Sequence, residues 1–229
     1  GLSAVITGSV NNAVLGTYSR YYNATDNSGN AAAQVTRTVH VVDTTNPVVS
    51  LSGASTIYVE FGSNYVEQGA TCTDNYEGSC IDVITSNVNI AALGTYTVNY
   101  NYTDGSGNVA TQISRTVIVQ DTLGPIIDGL DNITVYNSQS KRIAEIMENA
   151  SATDGFDGDL TVDMVVTSDD YSGNEYIAGV YNIQVRVTDS NGNVTLIDTT
   201  ITVLDDMSPV ITLNDYLLEE CNRRKNGIV

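Results

Sequence analysis

Three stretches of the chain repeat one another, and that repetition limits the fold more than any other feature. Gly16 to Leu51 reads GTYSRYYNATDNSGNAAAQVTRTVHVVDTTNPVVSL, Gly94 to Leu130 reads GTYTVNYNYTDGSGNVATQISRTVIVQDTLGPIIDGL, and Gly179 to Leu213 reads GVYNIQVRVTDSNGNVTLIDTTITVLDDMSPVITL. Each has a Gly-x-Tyr start, an alternating run, a Thr-Asp-x-x-Gly-Asn turn, a second alternating run and an Asp-x-x-x-Pro exit. Asp26 to Asp104 is 78 residues and Asp104 to Asp189 is 85; Pro47 to Pro125 is 78 and Pro125 to Pro209 is 84. A fixed period of this size marks an array of similar units.

The runs between the turns alternate with period two. Tyr96, Val98, Tyr100 and Tyr102 are interleaved with Thr97, Asn99, Asn101 and Thr103, and Tyr181, Ile183, Val185 and Val187 form a second such face. That pattern is a strand with one face buried. Thr56–Phe61, Gln68–Thr73, Asp82–Thr85, Ile113–Val119, Ile133–Tyr136 and Thr200–Leu204 read as further strands. Ser140–Asn149 departs from the plan with the sequence KRIAEIMEN, which suits a helical turn. About seven short strands per unit imply a small antiparallel sandwich. The fold class is therefore all-β, with tandem immunoglobulin-like sandwiches in an extended array. Residues 46–123 and 124–207 are whole units. Residues 1–45 are the second half of one, and 208–229 begin another or form a tail.

Composition narrows the function. The 229 residues carry a net charge of −18, yet only 16% are charged: carboxylates prevail because Lys and Arg are scarce. Such a chain has no basic surface for nucleic acid phosphates. No apolar run approaches the length of a membrane helix. No signal peptide stands at Gly1, so a secreted parent would have lost it or carries it upstream. With His40 as its one histidine, the chain has no Ser-His-Asp set, no zinc spacing and no phosphate loop. Paired carboxylates bring a glycosidase to mind, but these acids recur at turn positions in every unit and read as structural.

Of three cysteines, Cys72 and Cys80 bracket one loop and Cys221 stands alone. The matching positions in the third unit are Ala152 and Leu160, both apolar, so the pair points inward. A disulfide, implying an oxidising compartment, is the expectation; two buried thiols are the alternative. The Gly-x-Tyr openings make Tyr18, Tyr96 and Tyr181 candidates for a tyrosine corner, in which the hydroxyl ties back to nearby backbone.

Asp-Thr-Thr-Asn-Pro-Val-Val-Ser-Leu (43–51), Tyr65-x-x-x-Gly69-Ala70, Asp154-x-x-Asp157-Gly158-Asp159-Leu160-Thr161 and Thr103-Asp104-x-x-Gly107-Asn108 resemble bacterial immunoglobulin-like surface repeats. The likeness extends to the Ig-like domain of pesticidal crystal proteins and, more loosely, to the hyalin repeat. It covers nearly the whole chain to about Leu213 and implies spacers and adhesive stalks of surface proteins and secreted hydrolases. Departures are the cysteine pair, Ser140–Asn149 and the tail.

In such a sandwich the linker, one loop and the hairpin turn share an end. Asp43, Asp74, Glu77 and Asp104 then gather in the second unit, and Asp121, Asp154, Asp157, Asp159 and Asp189 in the third. Converging carboxylates repel unless a cation joins them, and calcium takes six to eight oxygen ligands from flexible loops. The placement is similar to that in cadherin junctions, where calcium stiffens tandem sandwiches; the third unit is the better candidate. The competing explanation is that Asp and Asn cap their own turns. Among the glycosylation sequons, Asn23 and Asn101 hold equivalent outward positions and are the expected sites.

Arg20 stands where Val98 does, on the inward parity, which fits a closed core poorly. Residues 1–45 are therefore completed by further chain or by another copy; an uncovered half-sandwich invites strand addition. The expected function is a non-catalytic extracellular stalk, adhesin shaft or filament subunit whose partners are neighbouring repeats, other copies, or a surface or glycan ligand. The alternative is an accessory, carbohydrate-binding module of a secreted hydrolase.

Overall fold

The computed structural model describes residues 3–76 and 80–211. The chain is almost entirely β and separates into two compact units that part between Asp121 and Thr122.

The first unit begins with a meander of β1 (Val5–Thr7), β2 (Gly16–Asn23) and β3 (Val35–Val41). A complete repeat follows: β4 (Val48–Leu51), β5 (Thr56–Glu60), β6 (Ala70–Thr73), β7 (Ile81–Ser86), β8 (Gly94–Thr103) and β9 (Ile113–Gln120). Strands β5-β9-β8-β7 form one sheet and β4-β6 the facing pair. Alternation decides which side of β8 is buried: Val98, Tyr100 and Tyr102 point into the core with Val117 and Val119 of β9. Val49 and Leu51 of β4, and Ala70 and Cys72 of β6, close that core from the other sheet. Each fully buried valine contributes about 1.5–3 kcal/mol.

The second unit repeats the plan with β10 (Ile126–Asp128), β11 (Ile133–Tyr136), α1 (Ile143–Met147), β12 (Ser151–Asp154), β13 (Gly158–Asp159), a 3-10 turn at Thr161–Asp163, β14 (Val165–Asp169), β15 (Gly179–Thr188) and β16 (Val194–Leu204). Sheets β11-β16-β15-β14 and β10-β12-β13 enclose Ile183, Val185, Val187, Ile201 and Val203. The KRIAEIMEN segment does turn helical. Glu145 Oε2 accepts from the Arg142 amide at 2.7 Å, and Ile146 is buried in the core.

The sandwiches are not wholly antiparallel. In each full repeat the second strand runs parallel to the last, β5 along β9 and β11 along β16. The chain leaves one sheet after its first strand and crosses to the far edge of the other, which fixes that direction.

The meander has the register of the complete repeat. Tyr18 pairs with Val39 as Tyr96 does with Val117, and Arg20 with Arg37 as Val98 does with Arg115. Val5 faces Asn23 as Val83 faces Asn101. Cys72 and Cys80 are joined by a disulfide with a sequence separation of 8, worth about 2–3 kcal/mol for so short a loop in the chain-entropy account. Cys221 lies outside the described residues, as do Glu77 and the tail after Ile211.

Candidate functional site

The Thr-Asp-x-x-Gly-Asn turn has one construction in all three copies. Asp104 Oδ1 accepts from the Asn108 amide at 2.7 Å and its Oδ2 from Asn108 Nδ2 at 2.8 Å. Asp189 binds Asn193 the same way, both contacts at 2.7 Å, and Asp26 binds Asn30, both at 2.8 Å. The glycine between them sits at φ 86°, 91° and 91° in Gly29, Gly107 and Gly192, a region that costs most side chains energy. Burial pushes the Asp189 carboxyl up, but the hydrogen bonds from Asn193, Asn191 and Gly192 prevail and hold it below the ordinary aspartate value. The Asn30 side chain and the surrounding amides likewise hold Asp26 low.

The expected tyrosine corners are present. Tyr18, Tyr96 and Tyr181 donate to the carbonyls of Val14, Ala92 and Ile177, four residues upstream, at 2.9, 2.8 and 2.9 Å.

The acids also converge. Oxygens of Asp43, Asp74 and Asp104 lie within 4.8 Å of one another. Asp74 Oδ1 caps the Tyr76 amide at 2.9 Å, and Asp43 Oδ1 the Thr45 amide at 3.0 Å. The Asp43 carbonyl accepts from Asn108 Nδ2 at 3.3 Å, tying the linker to the turn. Asp43 Oδ2 is different: it is buried and has no hydrogen-bond partner. A buried carboxylate oxygen without a donor is costly, and Asp43 belongs to a group of three carboxylates.

In the second unit, oxygens of Asp154, Asp157 and Asp189 lie within the same 4.8 Å. Each has one oxygen that accepts two hydrogen bonds, Asp189 Oδ1 from the amides of Asn191 and Asn193. Asp154 Oδ1 accepts from the amides of Phe156 and Asp157 at 2.7 and 3.0 Å, and Asp157 Oδ2 from the amide and hydroxyl of Ser190, both at 3.0 Å. Asp159 is not in the group; its Oδ1 accepts from the Thr161 amide at 2.9 Å. Asp121 closes the first unit. Both sets of acids named from the sequence therefore converge in part, and the Asp43 group alone contains a buried oxygen without a donor among the described residues.

The largest polar feature of the first unit has no counterpart in the sequence reading. Arg115, with no exposed surface, lies on the inward side of β9. Its Nε donates to Glu67 Oε1 at 2.8 Å, its Nη2 to the carbonyls of Ser52 and Gly69 at 2.7 and 3.0 Å, and its Nη1 to the Ala54 carbonyl. The Tyr65 and Tyr100 hydroxyls both donate to Glu67. Burial pushes Glu67 up, but the two tyrosines, the Gly69 amide and Arg115 together hold it below the ordinary glutamate value. The phenols of Tyr65 and Tyr100 are pushed up, by burial first and then by the carboxylate. Among the described residues this is the one ion pair. A signal existed: Arg115 shares the parity of Ile113, Val117 and Val119.

The register places Thr199 of β16 where Arg115 stands in β9, because Ile183 pairs with Thr199 as Val98 pairs with Arg115. Thr199 donates to the Leu130 carbonyl at 2.5 Å. That repeat fills its core with Ile146 and Tyr171 instead. Exposed His40 accompanies Thr17 Oγ1 at 3.0 Å. Asn23 and Asn101 accept through Oδ1 from Gln34 and Gln112 at 3.0 and 2.8 Å. Among the described residues no helix is long and apolar enough to cross a membrane.

Residues 49–119 match the family model for bacterial surface protein, Ig-like domain. An uncharacterized 81.3 kDa protein of Acholeplasma phage L2 is 30% identical over 197 residues, covering 83% of this chain and 26% of that protein. Hyalin of Strongylocentrotus purpuratus is 30% identical over 180 residues, 75% of this chain and 15% of hyalin. The chain thus spans about a quarter or less of these relatives. A Clostridium perfringens ZmpB structure, CBM51-2 with GlcNAc and INT domains, is 30% identical over 36% of this chain and 17% of that one, at a TM-score of 0.32.

Proposed function

Starting from residues 49–119 as a bacterial surface Ig-like domain, we propose that the chain is a non-catalytic structural segment of a surface protein, a stalk or adhesin shaft built by repetition. One observation carries this reading: the recurring aspartates are held by the amides of their own turns, in the same way in three copies. A carboxylate so bound is a lasting part of the backbone scaffold, whereas general acid–base work needs one that can exchange protons with a substrate.

Within that role the Asp43, Asp74 and Asp104 group is the proposed calcium site of the first unit. Hard oxygen donors from a linker, a loop and a turn suit calcium, and the unpartnered Asp43 Oδ2 supplies a ligand that no protein donor claims. Bound there, the ion would neutralise the carboxylates and fix the linker at Asp43 to the turn at Asp104. Asp154, Asp157 and Asp189 form the weaker proposed site. Asn23 and Asn101 are proposed glycan carriers, their Oδ1 atoms being engaged and Nδ2 being the atom a glycan would take.

Calorimetric titration of calcium into the full chain tests the metal reading, with thermal unfolding in calcium and in chelator. Binding saturated a hundredfold above Kd stabilises by about 2.7 kcal/mol, and Asp43→Asn should abolish most of that gain. No heat and no change in melting would remove calcium and leave the turns to stand alone. Specific retention of a glycan on an array would move the role to that of an accessory module of a carbohydrate-active enzyme.

A further inference from the structure

The meander β1-β2-β3 presents one face that the complete repeat shows how to cover. Val39 and Val41 are half-buried where Val117 and Val119 are sealed, and Val35 is 65% exposed. Tyr22 and Arg37 stand at the positions of Tyr100 and Arg115, both of which have no exposure in the complete repeat. Arg37 is exposed and rests 5.6 Å over the Tyr22 ring. Directly across from it, on the same face, is Arg20. Like charges opposite each other destabilise a sheet, and among the described residues neither arginine has an ion pair. In a chain of net charge −18, the stretch before Asp43 holds two arginines and one carboxylate, Asp26.

We propose that this face is a docking surface for the first half of an Ig-like repeat carrying a glutamate at the place of Glu67, and that Arg37 is its anchor. In the complete repeat that occupant is residues 46–73. Its β4-β6 pair caps the core, its β5 runs parallel along β9, and its Glu67 and the carbonyls of Ser52, Ala54 and Gly69 receive Arg115. By the shared register the incoming parallel strand lies along residues 38–42, and Arg37 meets the glutamate and the carbonyls. Arg20, where the complete repeat has Val98, adds a second positive charge that draws an acidic occupant. The source is polypeptide joined directly ahead of β1, because β1 is the counterpart of β7, which the first half of the complete repeat enters through residues 74–80. The inference rests on the repeat register and is independent of calcium.

The test is a graft. A copy of residues 46–78 is placed ahead of Gly1 in the full chain, with alanine at the copy's cysteine as Ala152 has in the third repeat. Hydrogen exchange is then followed by mass spectrometry together with the molar mass in solution. The amides of residues 38–42 should exchange at least about tenfold more slowly in the graft than in the parent. Arg37→Met in the grafted chain, or glutamine at the copied glutamate, should lose most of that protection, since a buried charge stripped of its partner opens the site about a hundredfold or more. In the parent chain Arg37→Met should leave exchange in β2 and β3 unchanged. Unprotected 38–42 amides in the graft, or protection indifferent to Arg37, would overturn the proposal. A parent chain already protected there and sedimenting as a dimer would assign the face to a second copy and overturn the source.

Discussion

Arg115→Met removes the guanidinium while keeping most of the side-chain volume. Four acceptors then lose a hydrogen bond: the carbonyls of Ser52 and Ala54, the Gly69 carbonyl, which keeps the Ser52 amide, and Glu67 Oε1, which keeps the Tyr100 hydroxyl and the Gly69 amide but loses its countercharge. Arg115 has no exposed surface and the Glu67 side chain is 23% exposed, so water reaches the carboxylate only in part. Breaking a buried pair from one side costs about 3–5 kcal/mol, a large share of the roughly 5–15 kcal/mol that holds a domain together. At about 4–8 °C per kcal/mol for a small domain, unfolding of the first unit should fall by roughly 12 °C or more. The chain has no Trp, so tyrosine fluorescence in urea reports the transition, and exchange in residues 122–211 serves as the internal reference. The double variant Arg115→Met with Glu67→Leu should recover part of the loss, because it leaves no stranded charge, although the Tyr65 and Tyr100 hydroxyls and the Gly69 amide then lose their acceptor. A cost below about 1 kcal/mol for Arg115→Met would refute the view that this network holds the two sheets in place.

Two further outcomes follow from the same contacts. The folded-state pKa of Glu67 is depressed, so its contribution is fully present above the unfolded value near about 4.3. It is lost as pH falls through the lower folded value; urea midpoints between pH 7 and pH 3 should drop, and Glu67→Gln should flatten that fall. Tyr96→Phe deletes the 2.8 Å bond to the Ala92 carbonyl and should cost about 0.5–1.5 kcal/mol, read as a shifted urea midpoint with an unchanged slope.

Much of the architecture was legible in the chain because it rests on local rules. Period-two alternation names the buried side of β8 and β15, the Asp-x-x-Gly-Asn turn needs a left-handed glycine, and the spacing of Asp26, Asp104 and Asp189 gives the repeat. The Cys72–Cys80 bridge could be read because Ala152 and Leu160 mark both positions as inward. The Arg115–Glu67 network escaped because Arg115 and its acceptors lie 46 to 63 residues apart, and charged residues are assigned to the surface unless a partner is known. Parity alone hinted at it.

Periodicity and turn chemistry, which act over a few residues, were settled by the sequence itself: strands, hairpins and tyrosine corners. Tertiary structure decided which acids meet. Convergence of Asp43, Asp74 and Asp104, and the donor that Asp43 Oδ2 lacks, depend on how a linker, a loop and a hairpin are brought to one end of a sandwich. It also decided that the arginine on an inward parity is an anchor where a glutamate faces it, in β9, and an exposed charge where none does, in β3. The physical reason is that a charge is tolerated inside only with its partner in place, and that partner is supplied by chain distant in sequence.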